Sequence, residues 1–290
     1  MQSCIRLAET RNAEYFRIVY RSDGLRIAGY LGRPKDDGLH PAVVYNRGGS
    51  LEFGALQGPE IVPFVEAGYV AAASQYRGGP GSEGGDQYGG DDVHDVFALI
   101  DILHELSTVD AERIGMMGVS RGGMMTYLAL KSETLSNRHR IRVASTMGGV
   151  ANLFAWGRER PELLRAPFVS LIGARPDEAP GLFERRSATS WPELFNTPLL
   201  LLHGEADDRV AVGQSQELAR LLTAAGKTVQ LQTYSGEGHG LEGVDRGYPQ
   251  VMKWFQGYLA APGEDLTFET HREEILAARA DFVSLGNGPG

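Results

Sequence analysis

The sequence is poor in cysteine, in long apolar runs and in positive charge, and each shortage excludes a class of protein. Cys4 is the only cysteine in 290 residues, so no internal disulfide can form, which favours a reducing, cytoplasmic location. No apolar run approaches the roughly 18 residues that a membrane span needs, and residues 1–16 lack the apolar core of a secretory signal. Lys and Arg number 28 against 37 Asp and Glu, a net charge of −9. We therefore expect neither a nucleic-acid nor a membrane partner.

Motifs for metals and cofactors are also missing. The sequence contains no H-E-x-x-H helix, cysteine cluster or phosphate-binding loop. We expect no metal and no organic cofactor. An apolar content of 42% and a charged content of 22% are ordinary for a globular protein.

Short β-rich runs alternate with helix-like segments along most of the chain. The predicted strands are 15–20, 25–31, 41–45, 69–74, 113–117, 141–146, 198–203 and 228–234. The first two are split by Ser22-Asp23-Gly24, which indicates a hairpin. The predicted helices are 61–67, a segment through Leu106 capped by Asp91 and Asp92, 124–130, 215–225, 249–259 and 269–282.

This alternation predicts an α/β protein with a mostly parallel sheet covered by helices on both faces. We expect a single domain over residues 1–290, with an N-terminal hairpin at 15–35 and a C-terminal tail at 263–290. The alternation of strands and helices is interrupted at residues 150–195, which predicts a short helical, cap-like insertion after the sixth predicted strand. In such sheets ligands bind beyond the carboxyl ends of the strands.

Gly118-Val119-Ser120-Arg121-Gly122 is a G-x-S-x-G pentapeptide between an apolar strand and a helix. Given the glycine and serine content, chance alone supplies roughly a quarter of such a match, so the setting must decide. Strand, sharp turn and helix is the setting of a nucleophile elbow, in which the serine hydroxyl projects from the top of the sheet. The backbone N–H of Arg121 then points toward a developing oxyanion. The alternative is a glycine-rich turn with a structural serine.

A serine hydroxyl needs a base to take its proton. The seven histidines are His40, His94, His104, His139, His203, His239 and His271. We select His239, which lies in a glycine-rich loop after the last strand and completes the chain order Ser, Asp, His. His203 ends a strand at the same edge, but Gly204 follows at once, and we interpret His203 as a packing residue.

The base in turn needs a carboxylate that orients it and stabilises the imidazolium. Glu205, Asp207 and Asp208 all follow the strand that ends at His203. We select Asp207. The alternative role for Asp208 is an ion pair with a nearby arginine or a helix cap. Glu205 stays open between the catalytic role and a structural one.

These segments resemble the α/β-hydrolase fold and, within it, the catalytic domain of the prolyl oligopeptidase family of serine hydrolases. The matching segments are RIGMMGVSRGG at 113–123, LHGEADDRV at 202–210 and EGHG at 237–240, with Ser22-Asp23-Gly24 and Tyr76-Arg77-Gly78 as further matches. In that family the first Asp of D-D-R-V carries the acid role, which supports Asp207 over Asp208. The family's oxyanion donors imply the N–H of Arg121 and one from Arg47-Gly48-Gly49, which we assign to Gly49.

The sequence departs from the resemblance in two places. The family's peptidases carry a large N-terminal propeller that filters substrates and supplies acids for a peptide amine, whereas this sequence has a hairpin there. Many relatives have His-Gly-Gly or a Tyr where this sequence has Arg47-Gly48-Gly49. Both departures favour small esters over peptides.

Our sequence-based hypothesis is a serine hydrolase that cleaves small acyl esters through Ser120, His239 and Asp207. The alternatives are an oligopeptide or aminoacyl peptidase, a dienelactone-hydrolase-like lactonase, and a non-catalytic protein with a hydrolase fold. The expected partner is a small ester or short peptide, and a homo-oligomer stays open.

Three further residues are candidates for substrate binding. Arg47 either meets an anionic substrate or covers the sheet edge. Arg209 either contacts the substrate, as the residue at this position does in the family's peptidases, or pairs with Asp208. Trp156, like Trp191, either walls the acyl pocket or belongs to the core of the cap.

Overall fold

The predicted hairpin is present and belongs to a larger sheet. The computed structural model describes residues 1–241 and 244–286. The strands are β1 (Ser3–Glu9), β2 (Ala13–Ser22), β3 (Leu25–Pro34), β4 (His40–Asn46), β5 (Val70–Ser74), β6 (Val109–Val119), β7 (Val143–Met147), β8 (Leu199–Gly204) and β9 (Val229–Tyr234). They form one sheet in the order β1-β2-β3-β5-β4-β6-β7-β8-β9.

The sheet has an antiparallel end and a parallel body. β1, β2, β3 and β5 pair antiparallel in turn, whereas β4 to β9 pair parallel with their neighbours. All residues of β8 are buried, as expected for a strand covered on both faces. The carboxyl ends of β4 to β9 therefore lie along one edge, which brings the loops that follow them together.

Helices cover both faces of the sheet. They are α1 (Val62–Glu66), α2 (Val93–Glu105), α3 (Arg121–Leu135), α4 (Leu153–Glu159), α5 (Pro180–Glu184), α6 (Gly213–Ala224), α7 (Val244–Leu259) and α8 (Arg272–Gly286). One buried cluster packs α2, α3, α6 and the 150–195 segment on one face, and a second packs α1, α7 and α8 on the other. The predicted parallel sheet with helices on both faces is confirmed.

The insertion and the tail have definite structures. Residues 150–195 form α4, α5 and short helical turns between β7 and β8; β7 is the sixth of the strands predicted from the sequence. In the tail, α8 packs through Phe282 against Tyr15 of β2, with the ring centroids 4.8 Å apart. Residues 287–290 of the tail lie outside the described part of the chain.

Two elements differ from the sequence prediction. β1 was not predicted, because its residues are almost all exposed and it joins the sheet through backbone pairing to β2 rather than through an apolar face. α7 begins at Val244, upstream of Pro249, where we placed its start. Pro249 lacks the N–H that would bond to the carbonyl four residues back, and its ring crowds that carbonyl, so proline usually marks a helix boundary. Here the helix nevertheless continues through Pro249.

The hairpin turn gives a test of backbone strain. Asp23 and Gly24 both have positive φ, 49° and 81°, the conformation that a tight two-residue hairpin loop requires. We expect Gly24→Ala to lower the free energy of unfolding by roughly 1 kcal/mol, because a Cβ is disfavoured in the left-handed region. Urea titration measures it.

The matched control is Gly257→Ala on an exposed turn of α7, where a Cβ meets no atom within 4 Å. That change should raise stability by up to about 1 kcal/mol through helix propensity. If both changes acted in the same direction, the assigned conformation of the turn would be wrong.

Candidate active site

Ser120 lies on a sharp turn between β6 and α3, with φ 57° and ψ −123°. The flanking glycines make this turn sterically possible. A Cβ at Gly118 would lie 2.1 Å from the Gly122 carbonyl oxygen, and one at Gly122 would lie 2.0 Å from the Asn46 carbonyl oxygen. The strand, turn and helix expected of a nucleophile elbow are all present.

Two backbone N–H groups near Ser120 are unused within the described part of the chain. The N–H of Arg121 belongs to the first turn of α3, where helical N–H groups have no partner in the helix. Neither it nor the N–H of Gly49 makes a hydrogen bond among the described residues. Gly49 has φ 65°, and a Cβ there would lie 2.0 Å from the Phe53 carbonyl oxygen. These two N–H groups are the expected oxyanion donors.

The Arg121 side chain ties the elbow to two other loops. Its guanidinium is fully buried and binds both carboxylate oxygens of Asp86, at 2.6 and 2.7 Å, and also Asp92. It donates to the Gly49 carbonyl oxygen at 2.9 Å. The guanidinium carbon Cζ of Arg121 lies 4.5 Å from the ring centroid of Tyr88. Burial acts to lower the pKa of Arg121, but the charges of Asp92 and Asp86 outweigh it and raise the pKa.

This contact corrects the expected helix cap. Asp92 occupies the residue before α2, but its side chain makes no capping hydrogen bond. Its carboxylate accepts from the Gly89 N–H and pairs with Arg121 instead. Asp91 likewise does not cap α2 with its side chain, which accepts from the Gln87 amide. A buried cation outcompetes the helix end for Asp92, because an unpaired buried guanidinium costs more than a lost cap.

Asp207 and His239 meet in a second pair of loops, after β8 and β9. His239 Nδ1 lies 2.8 Å from Asp207 Oδ2. The other carboxylate oxygen accepts from the backbone N–H groups of Arg209 and Val210, each at 2.9 Å. Gly204 permits the approach of the two loops, because a Cβ there would lie 2.3 Å from the carbonyl oxygens of Glu237 and Gly238.

Ser120 and His239 line the same cavity, of about 480 Å³. No hydrogen bond joins their side chains among those the described residues make. The remaining lining residues are Gly49, Ser50, Leu51, Phe53, Tyr88, Trp156, Arg160, Leu163, Ala166, Pro167, Ser170, Leu171 and Arg209. The cavity thus lies between the elbow, the loops after β4 and β8, and the 150–195 insertion.

Comparisons with known proteins agree with this geometry. The sequence profile of the prolyl oligopeptidase family matches residues 56–261. The chain belongs to this family of serine hydrolases. It is 30% identical over 229 residues to the uncharacterized peptidase YtmA of Bacillus subtilis, covering 78% of this chain and 86% of that protein. It is 26% identical to the uncharacterized peptidase YuxL of Bacillus subtilis, covering 82% of this chain but 38% of that protein.

Solved structures share the α/β-hydrolase fold. The acylaminoacyl peptidase of Pyrococcus horikoshii aligns with a TM-score of 0.71 and 22% identity, over 92% of this chain and 44% of that one. The acetyl xylan esterase of Paenibacillus sp. R4 aligns with a TM-score of 0.69 and 17% identity, over 89% and 88%. At this identity the likeness establishes the fold alone, and the expected α/β-hydrolase fold is confirmed.

Two of the candidate substrate-binding residues of this prolyl oligopeptidase family member line the cavity. Trp156 stacks on Tyr88 with the ring centroids 6.3 Å apart, and its indole N–H donates to the Arg209 carbonyl oxygen at 2.7 Å. It therefore both walls the cavity and packs the cap. Arg209 is exposed, and among the described residues no ion pair joins it to Asp208. Trp191 instead packs on Phe195, 5.4 Å between ring centroids, away from the cavity lining.

Arg47 does not fit the expected contact with substrate. Its side chain is buried, and it donates to the backbone carbonyl oxygens of Gln75, Gly48, Phe53 and Leu51. It is not among the cavity-lining residues. Arg47 thus shapes the loop that carries Gly49, and of the two roles left open for it these contacts favour the one that does not involve substrate.

Sequence reasoning assigned His203 to packing and missed its contact with Asp207. His203 Nε2 lies 3.1 Å from Asp207 Oδ2 and 2.8 Å from the Val210 carbonyl oxygen. Two acceptors at one nitrogen require that it carry the proton, while Nδ1 faces Ser215 Oγ at 2.7 Å. The one indication of this contact in the sequence was the position of His203 at the end of a strand, directly before the acidic loop that contains Asp207.

Neither a metal cluster nor a membrane span is evident in the part of the chain that the structure describes. No group of three or more His, Cys, Asp or Glu side chains is arranged to hold an ion there. No helix in residues 1–241 or 244–286 combines the length and the apolar character needed to cross a bilayer.

The Arg121 cluster predicts a large loss of stability on truncation. We expect Arg121→Met to lower the free energy of unfolding by roughly 3–5 kcal/mol, because Asp86 and Asp92 would remain buried without their cation. Denaturant titration followed by circular dichroism measures the change. Arg138→Met, at an exposed position on the turn after α3, is the control and should change stability by about 0.5 kcal/mol or less. Equal losses of stability in the two variants would contradict the proposal that the Arg121 cluster stabilises the fold.

The carboxyl of Asp207 predicts a defined loss of stability in acid. Burial acts to raise its pKa, but hydrogen bonds from His203 and His239 and from the Val210 N–H outweigh burial and lower the pKa well below its usual value. Below about pH 4 the unfolded chain binds a proton at this carboxyl and the folded chain does not. The stabilisation is therefore complete above about pH 4 and is lost progressively as the pH falls.

Urea titrations between about pH 6 and pH 3 test this dependence. Asp207→Asn should flatten the decline of stability with falling pH, because the amide does not titrate. Asp208→Asn, at the exposed neighbouring residue, is the control. An unchanged slope in Asp207→Asn would contradict the assignment.

Proposed function

We propose that this chain is a serine esterase that hydrolyses small acyl substrates through Ser120, His239 and Asp207. The observation that carries the proposal is the Asp207–His239 hydrogen bond at 2.8 Å beside a cavity that the strained Ser120 also lines. A nucleophile, a base and an orienting acid are the groups that acyl transfer needs.

Each step has a group to perform it. Ser120 Oγ attacks the substrate carbonyl carbon while His239 Nε2, the nitrogen facing away from Asp207, takes the hydroxyl proton. The negative charge on the carbonyl oxygen is received by the N–H groups of Arg121 and Gly49, and a donor of this kind is worth roughly 3–4 kcal/mol of barrier. The imidazolium returns its proton to the departing alcohol, and a water then hydrolyses the acyl-enzyme by the same route.

The mechanism requires a hydrogen bond between Ser120 Oγ and His239 Nε2, and the described residues do not form it. Ser120 and His239 line one cavity without a direct hydrogen bond. In free enzymes such contacts are often long and tighten when substrate binds. The Asp207 carboxylate is held by four donors, two histidines and two backbone N–H groups. The Ser120–His239 hydrogen bond therefore forms by rotation of Ser120 Oγ and a small movement of the His239 loop.

The cavity lining favours an ester over a peptide with a free amino terminus. None of the described lining residues is Asp or Glu, so a substrate ammonium group would meet no opposite charge among them. A peptidase is the second candidate, supported by the chain's 30% identity to a protein named as a peptidase. A panel of p-nitrophenyl esters and aminoacyl p-nitroanilides separates the two, and turnover of the anilides above the esters would favour the peptidase.

Removal of the nucleophile gives the direct test. We expect Ser120→Ala to lower turnover of p-nitrophenyl acetate by at least about a thousandfold, since loss of a triad serine leaves only oxyanion and binding effects. The variant should retain its circular dichroism spectrum and lose labelling by a fluorophosphonate probe. Ser136→Ala, at the exposed end of α3, should keep both activity and labelling. A folded Ser120→Ala protein with full activity would refute the proposal, and an unlabelled wild type would indicate a non-catalytic protein.

A further inference from the structure

The charged side chains that line the cavity within the described part of the chain are Arg160 and Arg209, in a protein that is acidic overall. Among the described residues no Asp or Glu lines it, although the chain has 37 acidic and 28 basic residues. Tyr88 also lines it, and burial raises the pKa of its hydroxyl, so that ring is neutral. A substrate entering the site therefore meets cationic side chains in a protein whose net charge is negative.

The backbone of Arg209 is fixed while its guanidinium is left free. Its N–H donates to Asp207 Oδ1 at 2.9 Å, and its carbonyl oxygen accepts from Trp156 Nε1 at 2.7 Å and from Arg160 Nη1 at 3.3 Å. Among the described residues no hydrogen bond or ion pair involves the guanidinium. An exposed cation held at its base, two residues from the candidate catalytic acid, is positioned to meet substrate.

Arg160 adds a second cation from the 150–195 insertion on the same wall. Its Nε pairs with Glu162 at 2.6 Å, which partly offsets its charge, and its Nη1 reaches the Arg209 backbone. The Asp207 carboxylate makes no ion pair with the Arg209 guanidinium, because its oxygens already face His203, His239 and two backbone N–H groups. Arg209 is therefore the cation of this wall that has no ion-pair partner among the described residues.

The rest of the lining is largely apolar. Leu51, Phe53, Leu163, Pro167 and Leu171 line the same cavity as Ser120 and the two arginines. Phe53 is 69% exposed and Leu51 is 44% exposed, so both apolar side chains are accessible to a ligand that enters the cavity. This surface suits a short hydrocarbon segment that separates a reactive carbonyl from a charged group.

We propose that the substrates of this site carry a carboxylate, bound by Arg209 with help from Arg160, on a short apolar segment next to the scissile ester. This inference rests on the proposed esterase function and adds the substrate class. The carboxylate belongs either to the acyl group, as in the monoester of a dicarboxylic acid, or to the leaving group, as in a carboxyphenyl ester. Charge-assisted binding of a carboxylate by a guanidinium is strong and directional.

Two matched probe pairs test the proposal and separate these sources. For the acyl side, mono-p-nitrophenyl glutarate is compared with p-nitrophenyl valerate. For the leaving group, 3-carboxy-4-nitrophenyl acetate is compared with p-nitrophenyl acetate. We expect kcat/KM to favour the charged member of at least one pair by about tenfold, with the preference shrinking as salt is added.

Arg209→Gln should remove most of that preference, about tenfold in kcat/KM for the charged probe, and change the neutral probe by about twofold or less. Arg160→Gln should have a smaller effect in the same direction. Arg165→Gln is the matched control, because Arg165 is an exposed arginine of the same insertion that does not line the cavity. Equal losses for charged and neutral probes in Arg209→Gln, or no preference in the wild type, would overturn the proposal.

Failure of the esterase function would look different, because the neutral esters would not be hydrolysed either. The anion site is then tested by calorimetry of glutarate binding to the intact protein. Binding that weakens about tenfold in Arg209→Gln, and is unchanged in Arg165→Gln, would support the site independently of catalysis. Absence of binding would reject it.

Discussion

The buried ion cluster around Arg121 is the interaction on which the rest of the site depends. The residue contributes its backbone to the elbow and its guanidinium to Asp86, Asp92 and the Gly49 carbonyl oxygen. Asp86 in turn accepts from the Leu51 N–H at 3.3 Å. The loops after β4 and β5 are therefore held to the start of α3 by a single side chain. Because a buried cation without partners is costly, these loops have one favoured arrangement.

Close backbone approach is the second constraint. Gly118, Gly122 and Gly204 each allow a carbonyl oxygen within 2.0–2.3 Å of the place where a Cβ would stand. The first two admit the turn at Ser120 and the third admits the His239 loop over the Asp207 loop. A larger residue at any of the three would push apart loops that the proposed reaction needs close together. The motif glycines are thus explained by contact with backbone rather than by flexibility.

The fold and the identity of the candidate site residues could largely be predicted from the sequence, because their determinants are local. Strand and helix periodicity gave the parallel sheet, and G-x-S-x-G with its flanks gave the position of Ser120. The roles of individual charged residues could not be predicted, since they depend on contacts between distant segments. Arg47 was left open between substrate and sheet edge and Asp92 was expected at a helix end, yet Arg47 also bonds to Gln75 and Asp92 pairs with Arg121, each from a distant segment. His203 was missed for a different reason: Asp207 is only four residues away, but their contact depends on the conformation of the loop after β8.

The end of β7 joins the two halves of the candidate site. Ser120 belongs to the half built on β4 and β6, whereas Asp207 and His239 belong to the half built on β8 and β9. Met147 accepts the Ser120 N–H at 2.9 Å, and the next N–H, that of Gly148, donates to the Leu202 carbonyl oxygen of β8 at 3.0 Å.

Gly148 also fixes the spacing of the two halves. It has φ 55°, and a Cβ there would stand 3.2 Å from Asp207 Oδ2 and 3.3 Å from His239 Nδ1. The insertion that walls the cavity starts directly afterwards, where the Val150 N–H donates to the Ser120 carbonyl oxygen at 3.2 Å. One strand end thus contacts both the proposed nucleophile and the loops of the proposed acid and base, and it anchors the cap. Because these contacts share a few consecutive residues, the cap and the two halves of the candidate site are fixed at the same point of the sheet.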